Sequence, residues 1–232
     1  MIAAIIRGGS RALWAASPLV LAVLLGACDG QPAATGGAAP GVAVDSAAAD
    51  EATGLRAEPA RPERPAPALA LTDQSGRDWS LDQGRGKVLL LFFGYTHCPD
   101  YCPQTLAAIG QAQRDLGPEA ERLQVVMVSA DPERDQPEVL ARYLEDQQPG
   151  SIGLTGEVAA VSAMAAAFGA EFHKDPVRQA GGAPGIAGAY TVTHTGRLYL
   201  IDPHGQIRGS YLGALSPDDV AQDVRALLDE ES

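Results

Sequence analysis

Val88-Leu89-Leu90-Leu91-Phe92-Phe93-Gly94-Tyr95-Thr96-His97-Cys98-Pro99-Asp100-Tyr101-Cys102-Pro103 is the stretch on which the fold turns. Its first six residues are an unbroken apolar run, short enough for a strand buried on both faces. Two thiols follow, four residues apart, with a proline and an acid between them and a second proline after. Pro103 suits a first helical turn, and Gly117-Pro118 ends the helix predicted over Pro103–Leu116. Strand, cysteine loop and helix thus succeed one another without a break.

Around this core the pattern predicts strands at Lys87–Phe93, Leu123–Ser129, Tyr190–Thr193, Leu198–Ile201 and Ile207–Tyr211. Asp202-Pro203-His204-Gly205 reads as the turn joining the last two. Helices are predicted over Asp135–Asp146 (apolar face Val139, Leu140, Tyr143, Leu144) and Gly156–Phe168 (Val158, Val161, Met164, Phe168). A last helix follows the Ser216 cap, with Val220, Val224, Leu227 and Leu228 inward. The order β-α-β-α-α-β-β-β-α predicts an α/β fold, a thioredoxin-like sandwich with a central mixed sheet and an added β-hairpin.

The N-terminus reads differently. Arg7 and Arg11 precede an uncharged stretch, Ala12 to Ala27, of 16 residues. That is below the roughly 20 needed to span a bilayer, so residues 1–27 are read as a secretory signal peptide, with an uncleaved anchor helix as the competing reading. Leu25-Gly26-Ala27-Cys28 looks like a bacterial lipobox, which makes Cys28 the lipidated residue. Asp29 is similar to the signal that retains lipoproteins in the inner membrane. Residues 28–67 are rich in Ala, Gly, Pro and acids, and read as a disordered linker whose flexible reach is roughly 35 Å. The folded domain is placed at 68–232. The net charge of -12 argues against nucleic-acid binding, which wants a basic face.

Of three cysteines, lipidation of Cys28 leaves Cys98 and Cys102 as a pair in an oxidising compartment. Near a helix N-terminus their pKa is lowered toward the metal-binding and nucleophilic thiolate. Two fates stay open, a disulfide and a metal site. Among four histidines, His97 reads as a flank, His173 and His204 as exposed. His194 ends a strand whose following loop packs against the cysteine loop in thioredoxin-like folds, and is the third ligand favoured by topology. Two soft sulfurs and an imidazole suit copper, with zinc as competitor. Asp131 and Asp135 read as turn and cap residues before Pro137, with facing a partner or supporting the site's ligands as the alternative.

At these residues the chain resembles the SCO/SenC family of copper-binding, thioredoxin-like proteins, over about Leu69 to Leu228. The resemblance rests on Phe93 to Pro103, on Ser129-Ala130-Asp131-Pro132-Glu133-Arg134-Asp135 with Gly153-Leu154-Thr155-Gly156, and on Tyr190 to His194 continuing to Tyr199-Leu200-Ile201-Asp202-Pro203. It implies that Cys98, Cys102 and His194 bind one copper ion, Cu(I) or Cu(II). It also implies delivery of that copper to the dinuclear copper centre of cytochrome c oxidase subunit II. A periplasmic copper donor, a lipid anchor in the inner membrane and a monomeric state complete the expectation. The family's Asp-His-Ser is Thr193-His194-Thr195 here, so an acidic neighbour of the histidine is lost. The alternative function is a thiol-disulfide oxidoreductase cycling Cys98/Cys102. The C-x-x-x-C spacing and the lack of a proline before Leu198 speak against it. A peroxidase lacks its catalytic motif here, a plain structural disulfide leaves the flanking prolines without a reason, and both rank below these two.

Overall fold

The six apolar residues after Lys87 form the middle of a mixed sheet. The structure is a computed structural model that describes residues 54–67, 70–177 and 189–231. Within them the strands are β1 (Glu58–Pro65), β2 (Leu71–Asp73), β3 (Asp78–Trp79), β4 (Val88–Gly94), β5 (Leu123–Ser129), β6 (Ile152–Thr155), β7 (Phe172–Pro176), β8 (Tyr190–His194), β9 (Arg197–Ile201) and β10 (Gln206–Leu212). The α-helices are α1 (Tyr101–Leu116), α2 (Pro137–Gln147), α3 (Val158–Phe168) and α4 (Pro217–Asp229).

Eight strands make one sheet in the order β1-β10-β9-β4-β5-β6-β2-β3. β4, β5 and β6 run parallel, while β9 lies antiparallel to β4 on its other side. Every residue of β4 is buried, and alternation divides its side chains between two cores. Val88, Leu90 and Phe92 join α1, α2 and α4 on one face. Leu89, Leu91 and Phe93 join Trp79, Val161, Met164 and Phe168 on the other. The predicted sandwich with a central mixed sheet is therefore present. β7 and β8 pair only with each other, as a separate two-stranded sheet.

Several expectations are corrected. Residues 58–65, read as linker, form β1 and pair antiparallel with β10. Apolar content hid this, because the segment is fixed mainly by polar contacts. Asp223 of α4, fully buried, accepts from the amides of Arg56 at 2.7 Å and Ala57 at 2.8 Å and from the Tyr211 hydroxyl at 2.6 Å. The helix predicted from Pro103 begins at Tyr101, with Asp100 at its N-cap. Val158, expected in the core, is 44% exposed at the start of α3. β6 was missed because its four residues follow a Gly-Ser turn and carry one glycine inside. The signal segment 1–27 and Cys28 lie outside the described residues. Among the described residues no helix is long and apolar enough to cross a membrane.

Asp223→Ala should cost about 2–4 kcal/mol in denaturant unfolding, because three donors lose a buried acceptor. Amide exchange should rise first in β1. A cost below about 1 kcal/mol would show that β1 is held by something else.

Candidate metal centre

The cysteine loop leaves β4 at Gly94, where the backbone must pass close to a sulfur. A β-carbon on Gly94 would stand 2.8 Å from Cys102 Sγ and 2.8 Å from the Phe92 ring, nearer than such atoms pack. The loop is then fixed by Asp135, which is fully buried. Its carboxylate accepts from Thr96 N at 3.1 Å, Thr96 Oγ1 at 2.6 Å and Ser129 Oγ at 2.7 Å. Burial raises the Asp135 pKa, and these hydrogen bonds oppose that rise. α2 takes Gln136, not Asp135, as its N-cap residue. The capping expectation for Asp135 gives way to its alternative: it supports the loop that carries Cys98.

Both cysteines are free thiols and both are buried, Cys98 8% exposed and Cys102 fully enclosed. Cys102 lies inside the first turn of α1, where an amide has no partner within the helix. That amide donates to Cys98 Sγ at 3.4 Å. The earlier helix start therefore separates the two sulfurs chemically. A hydrogen bond from the Cys102 side chain is the largest influence on Cys98. Burial opposes it, while His194 and the amides of Cys102 and Asp100 add to it, and the Cys98 pKa is lowered to about 4. The same hydrogen bond, burial and the neighbouring negative charge push Cys102 up. The metal-free pair is one thiolate, Cys98, and one thiol, Cys102.

His194 ends β8 above this pair, its Nε2 3.9 Å from Cys102 Sγ. Nδ1 lies 3.4 Å from the Thr195 carbonyl, a weak contact on the side of the ring away from the sulfurs. The ring packs edge-on between Tyr95, centroids 5.8 Å apart, and Tyr101 at 5.7 Å. Tyr101 donates to the Gly196 carbonyl at 2.8 Å, and Tyr95 accepts from Val192 N at 3.4 Å. Burial raises both phenols, so they stay neutral beside the thiolate. These two tyrosines were not singled out from the sequence. Their positions in the cysteine motif were the available signal.

The ligand atoms of Cys98, Cys102 and His194 all lie within 4.8 Å of one another. Among the described residues this is the one group of three or more metal-capable side chains so placed. His97 is exposed and holds Thr96 Oγ1 at 3.0 Å. His173 pairs with Asp175 and His204 with Glu231, both at the surface. His173 sits on a paired strand rather than in the loop expected for it, but it remains exposed. Two soft donors and one borderline donor, converging without a fourth among the described residues, fit a soft cation of low coordination number. They fall short of the four ligands of structural zinc.

The Cys98 thiolate has a direct signature. Its ultraviolet absorbance in the reduced, metal-free protein should persist as the pH falls from neutrality and disappear near pH 4. Between the thiol's ordinary 9.0 and about 4, the native state binds fewer protons at Cys98 than the unfolded chain does. Over that window this group makes stability rise with pH, and its contribution is lost as the pH falls through the folded value. Cys102→Ala removes the largest cause and should return the transition toward the ordinary range. A wild-type transition above pH 8 would contradict the assignment of the thiolate.

Comparison with known proteins places this chain in a family. A solved structure of Bradyrhizobium japonicum ScoI with copper bound is 32% identical, with a TM-score of 0.63, covering 71% of this chain and 100% of that one. The apo Sco1 protein of Thermus thermophilus is 37% identical, with a TM-score of 0.65, covering 75% of this chain and 97% of that one. The human mitochondrial SCO2 homolog is 32% identical over 157 residues, which are 67% of this chain and 56% of that protein. The SCO1/SenC family model matches residues 58–229, from the first residue of β1 to the last of α4, and the chain belongs to the SCO1/SenC family.

Proposed function

We propose that this protein is a copper metallochaperone of cytochrome c oxidase assembly. It carries one copper ion on Cys98, Cys102 and His194 and hands it to the dinuclear copper centre of subunit II. The observation that carries this reading is the convergence of those three ligand atoms within 4.8 Å of one another. Three ligands leave the cargo coordinatively open. An incoming thiolate of the acceptor adds to the metal, a ligand of this chain leaves, and the exchange repeats until the copper has passed over. No electron moves and no substrate is turned over. Lipidated Cys28 and the segment after it would tether the domain to the periplasmic face of the inner membrane, within reach of a membrane-bound acceptor.

Copper(I) titration of the reduced full chain tests the reading. Wild type should take up one equivalent and pass it to metal-free subunit II, and His194→Ala should weaken binding about 10- to 100-fold. If His194→Ala leaves affinity and spectra unchanged, His194 is not a ligand.

One observation favours a second reading, thiol-disulfide exchange. The buried Cys98 thiolate lies beside a protonated Cys102, the pairing that disulfide reductases use. Cys98 would attack a target disulfide, and Cys102 would resolve the mixed disulfide. The target's two thiols would be released, leaving a Cys98–Cys102 disulfide for an external reductant. Rapid reduction of oxidised subunit II without copper would make this the primary role.

A further inference from the structure

The site's two halves come from distant parts of the chain, and one turn holds both. Asp135 fixes the cysteine loop, as described. Four residues earlier in the same turn, Asp131 accepts from the Tyr190 hydroxyl at 2.9 Å and from Arg134 Nε. The Arg134 guanidinium lies 3.8 Å from the centre of the Tyr190 ring and donates from Nη1 to the Tyr190 carbonyl at 3.4 Å. Lys174 of β7 stands 4.7 Å from the same ring centre and 2.6 Å from Glu133. Tyr190 opens β8, and His194 closes it.

This clasp matters because the β7–β8 hairpin shares no ladder with the main sheet among the described residues. At the His194 end the strand is fastened through Gly196 to Tyr101. In its middle, Val192 N reaches Tyr95 by a hydrogen bond that is long, at 3.4 Å. At the far end the clasp is the fastening. Without it, the strand that bears the imidazole is held by Val192, buried in the core beneath it, and by the Gly196 contact, and its Tyr190 end is unrestrained.

We propose that Arg134 and Tyr190 are positioning residues that hold His194 against the thiols and so set whether the site offers three ligands or two. With the clasp closed, the imidazole lies over Cys102. With it open, β8 pivots about its Val192 and Gly196 fastenings, the imidazole loses its fixed place 3.9 Å from Cys102 Sγ, and the cargo rests more of the time on two thiolates, open to an acceptor. Arg134 Nη2 is buried without a hydrogen-bond partner when the clasp is closed. A donor left dry in the closed form lowers the cost of opening. The ligand count rests on the copper reading; the clasp itself does not.

The test uses the full chain, reduced, with Tyr190→Leu, Tyr190→Phe, Arg134→Gln and Arg134→Lys. In the metal-free protein, amide exchange at Val192, whose N–H crosses from β8 to Tyr95, and at Thr193 and Thr195 should quicken about tenfold or more in Tyr190→Leu and Arg134→Gln. Exchange at Val126 in β5 should not change. Tyr190→Phe, which keeps the ring under the guanidinium, and Arg134→Lys, which keeps the charge, should each recover part of the protection. Copper(I) affinity should fall about 10- to 100-fold in Tyr190→Leu, and this loss should vanish when His194 is already alanine. Unchanged exchange at all three amides overturns the proposal. So does an affinity loss of equal size in the His194→Ala background, since the clasp would then act by another route. A wild type that binds no copper defeats the chaperone reading, and the exchange result alone then decides the clasp.

Discussion

Replacing Cys98 or Cys102 with serine should abolish copper uptake under conditions where the wild type binds one equivalent. A serine hydroxyl keeps nearly the shape of the thiol but is a hard, protonated donor with little affinity for a soft cation. Losing one of two thiolates should lower affinity by about a thousandfold or more, roughly 4 kcal/mol. The two substitutions should differ in the metal-free state. Cys98→Ser removes the thiolate, so the ultraviolet thiolate signal goes with it. Cys102→Ser leaves Cys98 in place, with its amide hydrogen bonds and a hydroxyl as substitute donor, so part of the signal should remain. Neither change should unfold the chain, because β4 and the α1 core face do not depend on the sulfur charge. Retention of near wild-type affinity by either variant, measured by competition with a chelator, would remove that sulfur from the site.

The ligands were legible in the sequence for reasons that do not extend to what surrounds them. An unbroken apolar run ending in two cysteines at a helix start constrains both topology and chemistry. His194 followed from the strand order, because the loop entering β9 must pass the cysteine loop once β9 lies antiparallel to β4. What the sequence hid are contacts that bridge long separations through polar atoms. Asp135 is 39 positions from Thr96, and Asp131 is 59 from Tyr190. Neither pair leaves a periodicity, and an Asp shortly before Pro137 looks like a helix cap. β1 escaped for the same reason. Its residues are mostly exposed, so a reading that seeks buried apolar side chains sees only a linker. Hydrophobic pattern reports which face a side chain takes; it does not report which buried carboxylate it meets.

That distinction makes Asp135→Ala the second large expected effect. The carboxylate receives two donors from Thr96 and one from Ser129. Alanine leaves all three without an acceptor in a place from which water is largely excluded, and adds a small void. The cost should be about 3 kcal/mol or more in denaturant unfolding. Copper affinity should also fall, about 10- to 100-fold, since Thr96 lies two residues from Cys98 and the loop loses its anchor. Asp135→Asn separates the two contributions. It keeps an oxygen acceptor and removes the charge whose burial is unfavourable. Because the folded pKa of Asp135 is raised, the native state binds more protons than the unfolded chain between the ordinary value of 3.8 and the folded one. Ionisation therefore lowers stability as pH rises through that window, and Asn should abolish that slope. Both carboxylate oxygens accept, so the Asn Nδ2 leaves at least one donor without an acceptor, which outweighs the relief of the charge; the expected ranking at neutral pH is wild type, then Asn, then Ala, for both stability and affinity. An alanine variant as stable as wild type would mean that the loop is held by its backbone alone. An alanine variant that loses stability but keeps full affinity would show that Cys98 finds its place without Asp135, leaving the metal itself to order the loop.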